Sequence, residues 1–338
     1  MGRFLRLVRY IGTMQGRLIG FDGLRGIAAL SVLLFHALTW TRGEVRGNGY
    51  LAVDFFFMLS GYVMARTYEA RLGQGLSTIA FVRARIGRFL PVMAIAGLIA
   101  LPWFFITYGA SAWPIALANL LLIPAFCFQR VYPLNGPAWS ILLELVANAV
   151  HGLILRRLSM GMLILVTLIG AIMFAVSASR IGIDVGAQPA SFVFGLQRVM
   201  LAYGMGIILW RWWRDRPPLA VPPLVALAAM PLYFGIGTMV DAQGWISGMI
   251  FILLVCPLML AGALRWQRES RWMRVAGAMS FPLYAVHAPI GMMALLLGVP
   301  MIVAVVASLA VAGLIAWIQT LPRRPAAGRP HSVPLPAR

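Results

Sequence analysis

The first apolar segment of the chain carries two ionisable side chains that are suited to proton transfer and anion binding. Arg25 and His36 are eleven residues apart, and at about 100° per residue this spacing places both on one helix face, about 16 Å apart along the axis. Imidazole can act as a general base near neutral pH, and guanidinium binds anions. The alternative is structural: Arg25 pairs with Asp22 or Asp54, and His36 bonds a neighbouring helix.

Other apolar segments also contain ionisable or polar side chains. An ionisable group inside a membrane span costs roughly 2.5 to 3.5 kcal/mol on insertion scales, which makes each one a functional-site candidate. Glu144 is predicted to orient an imidazole, to bind an acceptor hydroxyl or to make a structural hydrogen bond. Asp54 is expected to stabilise the scaffold by pairing with Arg25 or Arg198. Four further residues are predicted to support the site: Ser60, Trp139, Tyr284 and His287. Of these, Trp139 and His287 are favoured as structural.

The composition indicates which kind of fold must position these side chains. Of the 338 residues, 61% are apolar and only 11% are charged, so a water-soluble fold would lack the polar surface to cover its core. Long apolar runs recur along the whole chain, which argues against a cleaved signal peptide and a secreted domain. We therefore expect an all-α integral membrane protein with about ten transmembrane helices around a polar cavity. The predicted parts are a basic cytoplasmic N-terminus (1–17), a membrane domain (18–320) and a disordered cytoplasmic tail (321–338).

The strong positive charge of the chain has two competing interpretations. A formal charge of +19 is typical of proteins that bind nucleic acid. However, all 28 basic residues are arginines and most lie in short clusters between apolar runs, where positive charge orients helices with their basic loops in the cytoplasm. We therefore expect no nucleic-acid partner. The four histidines and two cysteines are dispersed along the chain, so no metal site is predicted.

The arginine clusters also determine the expected number of membrane crossings. Eleven segments approach the roughly 20 residues that a spanning helix needs, but ten crossings are required to return the later arginine clusters to the cytoplasm. The segment 112–127 is short and contains Pro114 and Pro124, so it is predicted to re-enter the membrane or to lie on its outer face. Both termini are then cytoplasmic. The eleven segments are 18–40, 49–67, 89–109, 112–127, 138–156, 160–177, 191–210, 218–237, 245–264, 280–297 and 299–319.

Five short motifs occur along the chain: FDGLRGIAALSVLLFH at 21–36, VDFFFMLSGY at 53–62, FVRARIGRFLP at 81–91, PAWSILLE at 137–144 and AMSFPLYAVH at 278–287. In order and spacing they resemble the motifs of the membrane acyltransferase 3 family, which O-acylates bacterial glycans and some small molecules. The likeness covers nearly the whole chain. It departs from the family at 319–322, where QTLP replaces the frequent glutamate and proline. The fused C-terminal hydrolase-like domain of many relatives is not expected here.

The resemblance implies roles for several residues. His36 matches the histidine that is essential in the family, which favours it as the general base. Arg85 and Arg88 match the family's R-x-x-R element and are expected to bind the phosphates of coenzyme A at the cytoplasmic mouth, with Arg83 as a third donor-binding candidate. Topological charge is the alternative for these arginines. Arg25 is expected to guide the pantetheine arm or steady the thioester, against a structural ion pair with Asp22.

The predicted function is membrane O-acyl transfer. An acyl group, most simply acetyl, would move from cytoplasmic acyl-CoA to a hydroxyl of a surface or exported carbohydrate, such as a lipid-linked glycan. Acyl-CoA is then a co-substrate, and no tightly bound cofactor is expected. The predicted location is the bacterial inner membrane, in multi-pass contact with lipids. Two alternatives remain: acylation of a small hydroxylated metabolite or lipid, and transport through a polar-lined pathway.

Overall fold

The computed structural model describes residues 16–43, 47–240 and 244–321. Most of the predicted N-terminal region and of the predicted tail lies outside these ranges. Throughout the described parts of the chain the regular structure is helical, with no β-strand. The helices are α1 Ile19–Arg42, α2 Ala52–Gly73, α3 Thr78–Tyr108, α4 Trp113–Leu120, α5 Ala138–Leu153, α6 Met160–Ile181, α7 Phe192–Trp213, α8 Pro223–Met239, α9 Trp245–Ile250, α10 Cys256–Leu264, α11 Arg271–Leu296 and α12 Met301–Thr320.

The lengths and composition of these helices are those of a multi-pass membrane protein, as predicted. Eight helical stretches in the described residues are long and apolar enough to cross a bilayer. Five of them are the single helices α1, α3, α6, α11 and α12. Two are α5 and α7, each extended by an adjoining turn, and the eighth joins α9 to α10 through a π-helical turn at Phe251–Val255. Helix α2 has 22 residues but several charges, and the apolar helix α8 has 17. Eight stretches and these two helices would give ten crossings, a number that stays a prediction.

The segment 112–127 contains no helix that could cross a membrane. Helix α4 has eight residues and is therefore about 12 Å long, whereas a hydrocarbon core is about 30 Å thick. The chain then turns at Leu122, which has a positive φ of 59°. The Asn119 side chain closes this turn by donating to the carbonyl of Ile123 at 3.1 Å and accepting from the Leu134 N–H at 3.2 Å. The structure agrees with the prediction that this segment does not span, and its depth in the membrane stays a prediction.

Helices α1 and α11 pack closely along their lengths, and this contact positions much of the candidate site. Small residues permit the approach: a Cβ atom on Gly26 would lie 2.5 Å from the Cβ of Ala276. Gly277 similarly leaves room for the Asp22 side chain, because a Cβ there would lie 2.5 Å from a carboxylate oxygen. Small residues at helix contacts are the usual means by which membrane helices approach closely.

The helices at the periphery show apolar side chains to their surroundings. Leu168 on α6 is 54% exposed and Ile302 on α12 is 67% exposed. In water such a surface would be unfavourable, whereas lipid tails are as apolar as these side chains. The polar and charged side chains of the motifs lie mostly inside the bundle, as the prediction of a polar interior requires.

Candidate active site

A cavity of about 230 Å³ lies between α1, α2, α3, α5, α11 and α12. We call it the polar cavity. All five motifs contribute polar side chains to it, and the 53–62 motif contributes Ser60 together with three apolar residues. Its polar lining consists of Arg17, Asp22, Arg25, Ser60, Arg85, Arg88, Ser140, Glu144, Ser280, Tyr284 and Gln319.

Helix α1 brings Asp22 and Arg25 into the polar cavity, but the two do not form an ion pair. Asp22 instead accepts a hydrogen bond from the guanidinium of Arg17. Arg25 is partly buried and makes no hydrogen bond or ion pair with the described residues. The structural alternative for Arg25, pairing with Asp22 or Asp54, is therefore not what the structure shows. Its guanidinium faces the cavity with its donors unused, which suits an anionic ligand.

Glu144 joins three helices at the wall of the polar cavity. Its Oε1 atom accepts a hydrogen bond from Ser60 Oγ at 2.5 Å and another from Arg85 Nη2 at 3.1 Å. Arg85 is only 5% exposed, and its guanidinium lies 4.6 Å from the centroid of the Phe89 ring. Neither histidine predicted for the site is among these partners, so Glu144 has the hydrogen-bonded arrangement that was its structural alternative.

The three predicted donor-binding arginines occupy different positions. Arg85 and Arg88 lie three residues apart on α3 and both line the polar cavity, as their shared helix face implies. Arg85 is buried against Glu144, whereas Arg88 is exposed and makes no ion pair with the described residues. Arg83 is exposed and does not line the cavity. Arg88 is thus the member of the set whose charge faces an incoming ligand.

The polar cavity has a surplus of positive charge. Four arginines line it, Arg17, Arg25, Arg85 and Arg88, against two carboxylates, Asp22 and Glu144. Four minus two leaves a formal charge of +2. A concave, low-dielectric site with one sign of charge concentrates ligands of the opposite sign. The cavity is therefore suited to a polyanion.

Two histidines face each other from α1 and α11. The ring centroids of His36 and His287 are 5.0 Å apart. Nδ1 of His36 donates to the carbonyl of Val32 at 2.9 Å, and Nδ1 of His287 donates to that of Leu283 at 3.2 Å. A carbonyl oxygen can only accept, so each neutral ring carries its lone pair on Nε2. Both rings are thus held in the tautomer whose Nε2 can accept a proton.

Tyr284 lies between the polar cavity and the histidine pair. It lines the cavity, and its ring centroid is 5.8 Å from that of His287. Its hydroxyl is 2.7 Å from Ser140 Oγ, a residue that sequence reasoning did not assign to the site. The histidines themselves do not line the cavity. The site therefore consists of two adjoining regions, an arginine-lined region and a histidine region, with Tyr284 at their boundary.

Asp54 and Arg198 form a buried ion pair away from the polar cavity. Arg198 Nε donates to Asp54 Oδ1 at 2.8 Å, and Nη2 donates to Oδ2 at 2.7 Å. Neither side chain is exposed. Trp139 packs over the guanidinium with its ring centroid at 5.7 Å. The scaffold role favoured for Asp54, with Arg198 as its partner, agrees with this geometry, and Trp139 is a packing residue here.

Sequence reasoning also missed Asn135, whose role depends on a proline in another helix. Pro289 has no N–H, so it cannot donate to the carbonyl of Ala285 as a helical residue four positions later would. Asn135 Nδ2 donates to that carbonyl instead, at 3.1 Å. The position of Pro289 within an apolar run signalled an unsatisfied carbonyl, but the sequence could not indicate which side chain supplies the donor.

Fold and site together define a multi-pass helical membrane protein with a cationic cavity beside an imidazole pair. Such a site fits an enzyme that binds an anionic substrate and transfers a proton. The chain belongs to the acyltransferase 3 family, because the model of that family, described as an acyltransferase domain, matches residues 18–320. The family resemblance of the five motifs is thereby confirmed, and the protein is a membrane enzyme that transfers acyl groups.

Three relatives extend this comparison. Protein 2 in the picA locus of Rhizobium radiobacter is 33% identical over 188 residues, which cover 48% of this chain and 96% of that protein. BcsY of Komagataeibacter xylinus, whose name describes a membrane-bound transacylase, is 24% identical over 309 residues, with 85% and 76% covered. YrhL of Bacillus subtilis, whose name describes a peptidoglycan O-acetyltransferase, is 38% identical over 86 residues, with 24% and 13% covered. No solved structure matches this chain.

Proposed function

We propose that this enzyme transfers an acyl group from acyl-CoA to a hydroxyl of a surface or exported carbohydrate. The observation that carries the proposal is the guanidinium of Arg25, which has no ion-pair partner within 16–43, 47–240 and 244–321 and faces the cationic cavity on the same helix as His36. An anionic donor and a base for the acceptor proton are what acyl transfer to a hydroxyl requires. Each requirement is met by a separate region of the site.

The arginine-lined region is the proposed donor site. Coenzyme A carries several phosphate groups, which guanidinium binds through paired hydrogen bonds. Arg88 lies exposed at the edge of the cavity and is suited to the phosphates, whereas Arg25 lies deeper and is suited to the pantetheine arm, whose thioester end extends toward His36. Arg85 is already paired with Glu144 at 3.1 Å, so its part is to shape the cavity and add to its charge.

The histidine region is the proposed site of proton transfer. Nε2 of His36 accepts the proton of the acceptor hydroxyl as its oxygen attacks the thioester carbonyl carbon. A C–O bond forms, the C–S bond breaks, and coenzyme A leaves as the thiolate. The imidazolium of His36 then returns its proton to the thiolate, directly or through solvent. The hydrogen bond from Nδ1 to Val32 fixes the tautomer that this step needs.

The name of one relative supports a carbohydrate acceptor, and that of another supports acyl transfer at a membrane. YrhL is named for O-acetylation of peptidoglycan and BcsY for transacylation at a membrane. In a strain from which the gene is deleted, the O-acyl content of surface glycans is measured by mass spectrometry after complementation with wild-type protein or His36→Ala at matched expression. We expect the ester to return with the wild type and to remain absent with the variant. A glycan ester pattern that deletion leaves unchanged would contradict the carbohydrate acceptor.

The proposed orientation places the arginine-lined end in the cytoplasm of a bacterial inner membrane and the segment 112–127 outside. Two native thiols allow a test, because Cys127 is exposed and Cys256 is buried. A membrane-impermeant maleimide applied to spheroplasts should label the wild type but not Cys127→Ser. Labelling of the wild type only after lysis would show the reverse orientation.

A further inference from the structure

The Nε2 atom of His287 is a buried hydrogen-bond acceptor without a donor among the described residues. The residue is 1% exposed. The hydroxyl of neighbouring Tyr284 is engaged with Ser140 at 2.7 Å, so it does not supply the missing donor. A buried acceptor without a donor is unfavourable, because folding removes it from water without replacing the hydrogen bond. This atom therefore points to a donor carried by another molecule.

A further unpaired acceptor belongs to Asn135, which contacts the same helix as His287. The amide of Asn135 donates to the carbonyl of Ala285 at 3.1 Å, and because a carbonyl only accepts, this contact identifies the nitrogen and the oxygen of the amide. The remaining Oδ1 is buried and has no partner in the described parts of the chain. Ala285 and His287 are two residues apart and therefore about 200° apart around α11, so Asn135 contacts a different face of this helix from the one that carries His287.

The Nε2 atoms of His287 and His36 are two neighbouring acceptors without donors among the described residues. The two rings face each other with centroids 5.0 Å apart, and each presents an Nε2 lone pair. One hydroxyl carries one proton, so a ligand with a single hydroxyl can satisfy only one of the two atoms. A ligand with two neighbouring hydroxyls can satisfy both His36 and His287.

We propose that His36 and His287 form a subsite for a vicinal diol, and that His287 is a substrate-binding residue. This inference rests on the proposed function and specifies its acceptor. The reacting hydroxyl gives its proton to His36 and forms the ester. The neighbouring hydroxyl donates to His287 and keeps its proton, so the overall reaction is unchanged. The acceptor class is a carbohydrate unit with a free hydroxyl beside the one that is acylated.

The test uses the purified full chain in detergent with acetyl-CoA and two alcohols, trans-cyclohexane-1,2-diol and cyclohexanol. These probes differ only in the neighbouring hydroxyl, and ester formation is measured by mass spectrometry. For the wild type we expect kcat/KM for the diol to exceed that for cyclohexanol by tenfold or more. His287→Phe keeps an aromatic ring without an acceptor atom. Its ratio should fall close to one, because KM for the diol rises much more than KM for cyclohexanol. His287→Gln, which restores an oxygen acceptor, should recover part of the preference.

Several results would overturn the diol subsite. They are a wild-type ratio near one, a ratio that His287→Phe leaves unchanged, and an equal loss for both alcohols in a variant that elutes and melts like the wild type. Acylation of neither alcohol would also overturn it, because two neighbouring hydroxyls would then not suffice. The glycan ester in the deletion strain reports the proposed function separately, so the two failures are distinguishable. The wild-type ratio decides the question even if the variants do not fold.

Discussion

Two arginines inside the bundle, Arg198 on α7 and Arg25 on α1, differ completely in their surroundings. Arg198 donates to both oxygens of Asp54 and to the carbonyl of Tyr50 at 3.2 Å. Arg25 lines a cavity and has no hydrogen-bond or ion-pair partner in the described residues. Removing a charge from water is unfavourable unless partners replace the lost hydration. A satisfied arginine thus stabilises the fold, whereas an unsatisfied one indicates a ligand.

The largest expected effect is the loss of stability on replacing Arg198, the arginine with partners. Arg198→Ala leaves Asp54 as a buried, uncompensated charge, which typically costs about 3 to 5 kcal/mol. We expect a sharply lower melting temperature in detergent and a loss of monodisperse protein on size-exclusion chromatography. Arg180→Ala, which removes an exposed arginine at the end of α6, is the matched control. Wild-type stability of the Arg198 variant would contradict a scaffold role.

The opposite result is expected at Arg25. Because its guanidinium has no hydrogen-bond or ion-pair partner in the described parts of the chain, Arg25→Ala should leave the melting temperature close to that of the wild type. Losing a charged hydrogen bond to the donor is worth about 1.5 to 3 kcal/mol, so kcat/KM for acyl-CoA should fall by about ten- to a hundredfold. A variant that melts early with unchanged kcat/KM would show that Arg25 is structural after all.

Glu144 combines a structural and a cavity-lining position, because it lines the polar cavity and also accepts hydrogen bonds from Ser60 and the buried Arg85. Glu144→Gln keeps a hydrogen-bond acceptor but removes the negative charge, and charge-assisted hydrogen bonds are roughly twice as strong as neutral ones. We expect a loss of about 1 kcal/mol of stability. The cavity also becomes more positive, so KM for acyl-CoA should fall in low salt. An increased KM would indicate that Glu144 positions Arg85 for the donor.

The smallest effect is expected at the exposed arginines of α3. Interactions of exposed charges are worth about 0.2 to 1 kcal/mol, so Arg88→Ala should raise KM for acyl-CoA by only a few fold, and less at high salt. Arg83→Ala is the control on the same helix, since Arg83 does not line the cavity, and its KM should not change. Equal effects of the two variants would show that only the general charge of α3 matters.

The sequence predicted the helical class, the failure of 112–127 to span and the shared helix face of Arg85 and Arg88, because these follow from local composition and helical spacing. It gave Arg198 as one of two partners for Asp54 without deciding between them. The contacts of Glu144 with Ser60 and Arg85, and of Asn135 with Ala285, could not be predicted. They depend on the rotation and crossing of helices that are distant in sequence, and helical periodicity determines neither.

The proline at position 289 has a consequence for how the protein is assembled. The side-chain amide that donates a hydrogen bond to the carbonyl of Ala285 belongs to Asn135, 150 positions earlier in the chain. Asn135 is therefore synthesised long before α11. The carbonyl of Ala285 gains its donor only when α11 inserts against the segment that already contains Asn135. The last helix to contribute to the histidine region is thus also the one that requires a prepared neighbour, so this region forms late.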